Sequence, residues 1–231
     1  MTKQIIKILF FCIVLLLTSC VHKHDTTISK IVSAKKSFLK VEIWAGICPE
    51  DICVKPELSA IGSGAVIFSK NKKYVLTAAH VCEPNFDQLE ALFNKVVTEL
   101  WVIDREDRRY KAKVVKSDHK LDICALDIGR THLPALRIAN TKPRYGDKVY
   151  NVTSPLGISA RGMVPLLEGR FSGETEDWAY YTLPATQGSS GSPLINSNGE
   201  VVGVVLAVHR LFHHVTLSVR FPDLWNFFVS M

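Results

Sequence analysis

From Phe38 onward the chain alternates apolar and polar positions with a period of two, the signature of half-buried strands. The alternation predicts strands over 38–45, 61–68, 73–78, 99–104, 109–117 and 121–127. A second set is predicted over 147–153, 163–172, 177–183, 192–196, 200–208 and 214–219. Turn residues separate them: Gly62 and Gly64, Asn71-Lys72, Tyr145-Gly146-Asp147, Gly173 and Asn198-Gly199. Residues 128–146, with Pro134 and Pro143, read as a connector. Six strands thus fall on each side of one linker, and antiparallel sheets of this kind avoid open edges by closing. Two stretches break the alternation. Residues 85–97 are apolar at 86, 89, 92, 93, 96 and 97, which predicts a helix with one buried face. Residues 222–230 open with Pro222-Asp223 and carry Leu224, Trp225, Phe227 and Phe228, which predicts a short closing helix.

The first 37 residues belong to neither pattern. Lys3 and Lys7 precede an apolar run of ten residues, Ile8 to Leu17, shorter than the ~20 a spanning helix needs. Residues 1–19 therefore read as an export signal. Leu17-Thr18-Ser19-Cys20 follows at once and resembles the lipobox of bacterial lipoproteins. That resemblance implies cleavage before Cys20 and lipid on its thiol, so that the mature chain is anchored in a membrane of the cell envelope. Residues 20–37 are polar without a sustained period and read as a tether; His22 and His24 within it are a solvated pair.

Composition narrows the class without choosing it. Hydrophobic residues make up 47% and charged residues 22%, which excludes disordered and collagenous chains. The net charge of +6 includes the two signal lysines, and no Lys/Arg cluster with interleaved aromatics marks a nucleic-acid face.

The candidate chemistry lies in three short segments. Thr77-Ala78-Ala79-His80 ends a strand on two small residues, so the backbone can turn and present the imidazole at a rim. Asp122, in Leu121-Asp122-Ile123-Cys124, puts a carboxylate at the start of an apolar strand, where it needs a partner. The rival Asp118, in Ser117-Asp118-His119-Lys120, sits in a wholly polar turn. Gly188-Ser189-Ser190-Gly191-Ser192-Pro193 supplies a hydroxyl flanked by glycines that permit a tight turn with outward N–H groups. A serine hydroxyl becomes a nucleophile when a base takes its proton and an acid orients that base. Ser190, His80 and Asp122 fill those roles, and the amides of Gly188 and Ser190 supply an oxyanion hole.

The six cysteines agree with export. Cys12 leaves with the signal and Cys20 carries the lipid, so Cys48, Cys53, Cys82 and Cys124 remain, an even number with three possible pairings. Cys48–Cys53 and Cys82–Cys124 are favoured; the second pair lies two positions beyond His80 and Asp122, whose meeting would bring them together. No ligand spacing indicates a metal.

Together the three segments resemble the trypsin-like, chymotrypsin-fold serine proteases over roughly residues 38–230. Gly62-Ser63-Gly64 before the histidine and Gly199 to Val208 after the serine also fit. Tyr145-Gly146-Asp147-Lys148-Val149 with Pro155-Leu156-Gly157 is similar to the bacterial branch that includes the HtrA proteases. The resemblance implies an all-β fold: two six-stranded antiparallel β-barrels, over about 38–127 and 147–231, with the active site in the cleft between them. It also implies endopeptidase activity on a protein or peptide substrate, with no cofactor. Pro184 and Ala185 would form the base of the primary pocket and Leu206, Ala207 and Val208 its wall. With no carboxylate at the base and Val208 narrowing the slot, small aliphatic residues are expected there. His209, Arg210, His213 and His214 lie on the loop that follows.

Three departures from the family pattern stand out. Ser192 occupies a position where the hexapeptide usually has glycine. Ser189 replaces the aspartate with which animal digestive proteases pair a newly cut N-terminus. No PDZ-sized segment is expected after residue 231. An inactive, chaperone-like binding module on the same fold is the alternative reading. An α/β-hydrolase esterase is excluded by the order His, Asp, Ser and by the absence of Gly-x-Ser-x-Gly at the serine.

Overall fold

The computed structural model describes residues 26–93, 95–209 and 212–231. The signal, Cys20, His22 and His24 lie outside the described residues.

The first half contains β1 (Phe38–Ile47), β2 (Glu57–Ser69), β3 (Lys72–Thr77), β4 (Val96–Asp104), β5 (Arg109–Lys111), β6 (Lys113–Asp118) and β7 (Ile123–Asp127). They form one antiparallel sheet in the order β5-β4-β1-β2-β3-β7-β6. The single strand expected over 109–117 is two. It breaks at Ala112, which is buried and whose N–H donates to Leu100 O at 2.8 Å. That break lets one continuous stretch form both ends of the curled sheet, so the first half has seven strands where six were expected. The second half contains β8 (Lys148–Val152), β9 (Leu166–Glu174), β10 (Ala179–Tyr181), β11 (Pro193–Ile195), β12 (Val201–His209) and β13 (Phe212–Ser218). These close into a six-stranded barrel in the order β10-β13-β12-β11-β8-β9.

The helices depart further from expectation. The stretch read as a tether includes a helix, α1, over residues 26–34. Ile31 and Ala34, one turn apart, are buried in the main core, a pair too short to register as a period. A short helix α2 (Ala79–Cys82) follows β3, and α3 (Asp87–Phe93) is shorter than the predicted 85–97. None of its residues is buried, and Leu92 is 73% exposed, so the expected buried face does not form. Val96 and Val97 instead join β4, opposite Ile47 and Gly46, where β-branched side chains pack well.

The two halves are clasped twice. Within the connector, Leu136 exchanges backbone hydrogen bonds with β2 (Phe68 N to Leu136 O and Leu136 N to Val66 O, both 2.8 Å), and Ile138 bridges to Val201. The C-terminal helix α4 (Phe221–Val229) carries Leu224, Phe227 and Phe228 into the core shared with the first sheet. Lys116 caps its carboxyl end by donating to Phe227 O at 2.7 Å, and Ser69 donates to Phe228 O at 3.1 Å. Among the described residues, no helix is long and apolar enough to cross a membrane, and no group of three or more His, Cys, Asp or Glu could hold a metal ion.

Candidate active site

Strand β3 ends at Thr77, and the buried Ala78 and Ala79 let the chain turn into α2, which begins at Ala79 and presents His80 in its first turn. Asp122 lies in the turn between β6 and β7 with φ +55°, a left-handed conformation that aspartate tolerates better than most residues. The reversal aims its carboxylate at α2. Asp122 Oδ2 lies 2.7 Å from His80 Nδ1, and Oδ1 accepts the His80 backbone N–H at 2.9 Å. Asp122 O accepts the Ala79 N–H at 3.2 Å. Because the carboxylate is an acceptor, Nδ1 carries the proton and Nε2 keeps its lone pair. The His80 side chain is 48% exposed against 22% for Asp122, so the free nitrogen is on the open side of the pair. Asp118, the rival carboxylate, is committed elsewhere: its Oδ1 accepts the N–H groups of Lys120 and Leu121, each at 3.0 Å.

The disulfide Cys82–Cys124 closes behind this pair, with a Cα separation of 6.6 Å, and Cys48–Cys53 closes a short loop after β1. The first joins α2 to β7.

Ser190 comes from the second half, in the turn before β11. Gly188 and Gly191 on either side have φ +87° and +85°. At Gly191 a β-carbon would collide with Thr77 Oγ1 and Ser63 O, and would stand 2.8 Å from Ala78 N. The serine turn therefore presses directly on the segment that leads into His80. Gly62 permits the same approach from the other side: its β-carbon would stand 2.5 Å from Val81 Cγ1 and 3.1 Å from Ser190 O. Ser63 N–H donates to Ser190 O at 2.8 Å, and Ser63 Oγ donates to Gly188 O at 2.7 Å while accepting the Ser154 N–H at 3.0 Å. Ser63 thus ties both sides of the cleft to the serine turn. The sequence marked it only as the middle of Gly-Ser-Gly; the signal was a small polar residue inside an otherwise apolar strand. The Ser190 hydroxyl donates to Leu206 O at 3.4 Å.

The N–H groups of Gly188 and Ser190 have no acceptor among the described residues. Each belongs to a peptide whose carbonyl is held. Gln187 O accepts Leu156 N–H at 2.7 Å, and Ser189 O accepts from Ser192. A trans peptide points its C=O and N–H in opposite directions, so anchoring the carbonyl sets where the N–H aims. Ser189, in place of an aspartate, is held locally: its N–H donates to Thr186 O at 2.9 Å and its Oγ accepts Thr186 N–H at 3.4 Å.

Of the expected pocket residues, Leu206 is buried, Ala185 and Val208 are half-buried, and Pro184 and Ala207 are exposed. A residue the sequence reading did not single out, Thr216, lies opposite Val208 in the β12–β13 register and is fully buried, its hydroxyl donating to Leu183 O at 2.8 Å. The pattern lacked any local sign of it, because register between strands is not written in either strand alone. A further cleft, of about 750 Å³, opens beside His80 between Glu83, Phe86, Leu100 and His119, whose Nε2 lies 3.1 Å from Glu83 Oε2.

Comparisons with known proteins place the chain in a family. The chain is 30% identical over 162 residues to a probable periplasmic serine protease do/HhoA-like of Haemophilus influenzae, an alignment covering 67% of this chain and 32% of that protein. It is 30% identical over 156 residues to the periplasmic serine endoprotease DegP of Escherichia coli K12, covering 64% of this chain and 30% of that one. The chain thus spans about a third of the length of these relatives. Among solved structures, a serine endoprotease from Yersinia pestis superposes with a TM-score of 0.68 at 20% identity, covering 87% of this chain and 64% of that one, which establishes the shared fold. The trypsin-like peptidase domain profile matches residues 62–204, from the glycine that admits the serine turn to the strand behind it, and the chain belongs to that family.

Proposed function

We propose that the chain is an exported serine endopeptidase in which Ser190 is the nucleophile, His80 the general base and Asp122 its orienting acid. The observation that carries the reading is the doubly hydrogen-bonded Asp122–His80 pair beside a turn whose two N–H groups are free to receive an oxyanion. In this reading Ser190 Oγ leaves its Leu206 O acceptor and turns to His80 Nε2 before it reacts. Oγ then attacks the scissile carbonyl carbon while its proton passes to Nε2. The carbonyl oxygen takes the negative charge toward the Gly188 and Ser190 N–H groups, and Asp122 stabilises the imidazolium. As the C–N bond breaks, the proton on Nε2 goes to the departing amine. Water, deprotonated by the same nitrogen, releases the acyl group and restores Ser190.

The pocket reading rests on Val208 and Thr216 facing each other across β12 and β13. Neither side chain carries a charge for lysine or arginine, and the reading is that alanine- or valine-sized side chains are taken there. The membrane reading rests on the apolar run and Leu17-Thr18-Ser19-Cys20. Mass spectrometry of the mature N-terminus tests it: a diacylglyceryl mass on Cys20 supports it, and an unmodified cysteine ends it.

A fluorophosphonate probe tests the chemistry. Labelling of the wild type and loss of label in Ser190→Ala is the expected result. A folded wild type that takes no label would instead mark a binding module on a protease fold.

A further inference from the structure

Ser192 departs from the glycine usual in the family hexapeptide, and the structure gives its hydroxyl a specific task. Ser192 and Asn151 are both fully buried. Asn151, on β8, donates from Nδ2 to Ser192 Oγ at 2.7 Å and to Pro193 O at 3.0 Å. The second contact settles the orientation of the amide, since a carbonyl can only accept; flipping the side chain would set oxygen against oxygen. Ser192 Oγ therefore spends a lone pair on Asn151, and its single proton goes to Ser189 O, at 2.6 Å. The Ser192 backbone N–H reaches the same oxygen at 3.1 Å.

Two donors thus hold the Ser189 carbonyl inward. Its peptide partner is the Ser190 N–H, which must then point outward, into the cleft where it has no protein acceptor. Donation to the carbonyl also polarises the peptide and strengthens the opposite N–H as a donor. With glycine at 192 only the backbone donor would remain. Among the described residues the Asn151 Oδ1 atom has no hydrogen-bond partner.

We propose that Asn151 and Ser192 are positioning residues that aim the Ser190 N–H into the oxyanion hole. The proposal rests on Ser190 being the nucleophile. In Ser192→Ala one of two pins is lost and the donor is loosened, not removed. The loss should therefore lie below the 10²–10³ typical of a deleted donor, at roughly ten- to hundredfold.

The experiment uses the full mature chain and two probes built on valine: a peptidyl trifluoromethyl ketone, whose adduct carries an oxyanion, and the matching peptide alcohol, which is neutral and forms no adduct. Ser192→Ala should bind the ketone roughly ten- to hundredfold more weakly and react with fluorophosphonate correspondingly more slowly. Affinity for the alcohol and the melting temperature should hold. Asn151→Leu, of similar volume, should shift the ketone in the same direction, and the double variant should add little to the larger single effect. Unchanged ketone affinity in Ser192→Ala overturns the proposal. So does a parallel fall of ketone affinity, alcohol affinity and melting temperature, which is what a merely structural role produces. A wild type inert to fluorophosphonate defeats the catalytic reading instead. The positioning claim is then decided by a crystal structure of Ser192→Ala: a rotated 189–190 peptide supports it and an unmoved one ends it.

Discussion

The two disulfides close loops of very different length, and this makes their removal a quantitative test of how the fold is held. Cys82 and Cys124 are 42 residues apart and Cys48 and Cys53 only 5. If a crosslink acts by restricting the unfolded chain, its contribution grows with the logarithm of the loop. The longer bridge then contributes about 4 kcal/mol at 25 °C and the shorter about 2 kcal/mol. Against a total stability of roughly 5–15 kcal/mol, losing the first removes much of the margin and losing the second is tolerable. Urea unfolding of Cys48→Ala/Cys53→Ala, before and after reduction of the remaining bridge, isolates the longer loop. It does so without truncating Cys82 and Cys124, whose side chains are buried. The expected further loss on reduction is about 4 kcal/mol, with a larger m-value because the released chain exposes more surface when unfolded. A loss no larger than that caused by removing Cys48–Cys53 would refute the reasoning. It would mean that the long bridge closes a loop already ordered in the unfolded ensemble, or that the native geometry works against it.

Two further outcomes follow from the site and from the surface of the first sheet. Asp122→Asn keeps the fold but presents His80 with an amide able to donate, favouring the wrong tautomer, so kcat on a valine-ended fluorogenic peptide should fall by about 10⁴; a loss under tenfold would remove Asp122 from the mechanism. Asp104 is buried at the end of β4, and burial alone would raise its carboxyl. The Arg108 and Glu106 backbone N–H groups, the Arg108 guanidinium and the Tyr110 hydroxyl outweigh that and hold it below the ordinary carboxylate range. A carboxyl depressed by folding stabilises fully above its unfolded value of about 4 and loses that contribution as pH falls through the folded value. Asp104→Asn should therefore cost about 2 kcal/mol at pH 7. In chemical denaturation, the gap between wild type and variant should shrink as the pH drops below about 4; a gap independent of pH would contradict the assignment.

What the sequence made legible, and what it did not, follows from the range of each interaction. The strands were readable because alternation is local: Leu39-Lys40-Val41-Glu42-Ile43 declares β1 without reference to anything else. The His80 and Asp122 segments were readable because a carboxylate entering an apolar strand signals a partner. The break at Ala112 was not, since one small residue in a regular run looks like any other until Leu100 O claims its N–H. The helix over 85–97 failed because Val96 and Val97 satisfy a helical period and a strand equally well, and β1 decided between them. Ser192 is the most instructive case. In sequence it reads as a tolerated departure at a glycine position, with only its β-carbon to accommodate. Its meaning depends on Asn151, 41 residues earlier and two strands away in the local pattern, arriving beside it through the pairing of β8 with β11. Contacts of that separation leave no periodic trace. They are where a family member can change how its serine turn is braced by altering a single position of a motif that otherwise stays recognisable.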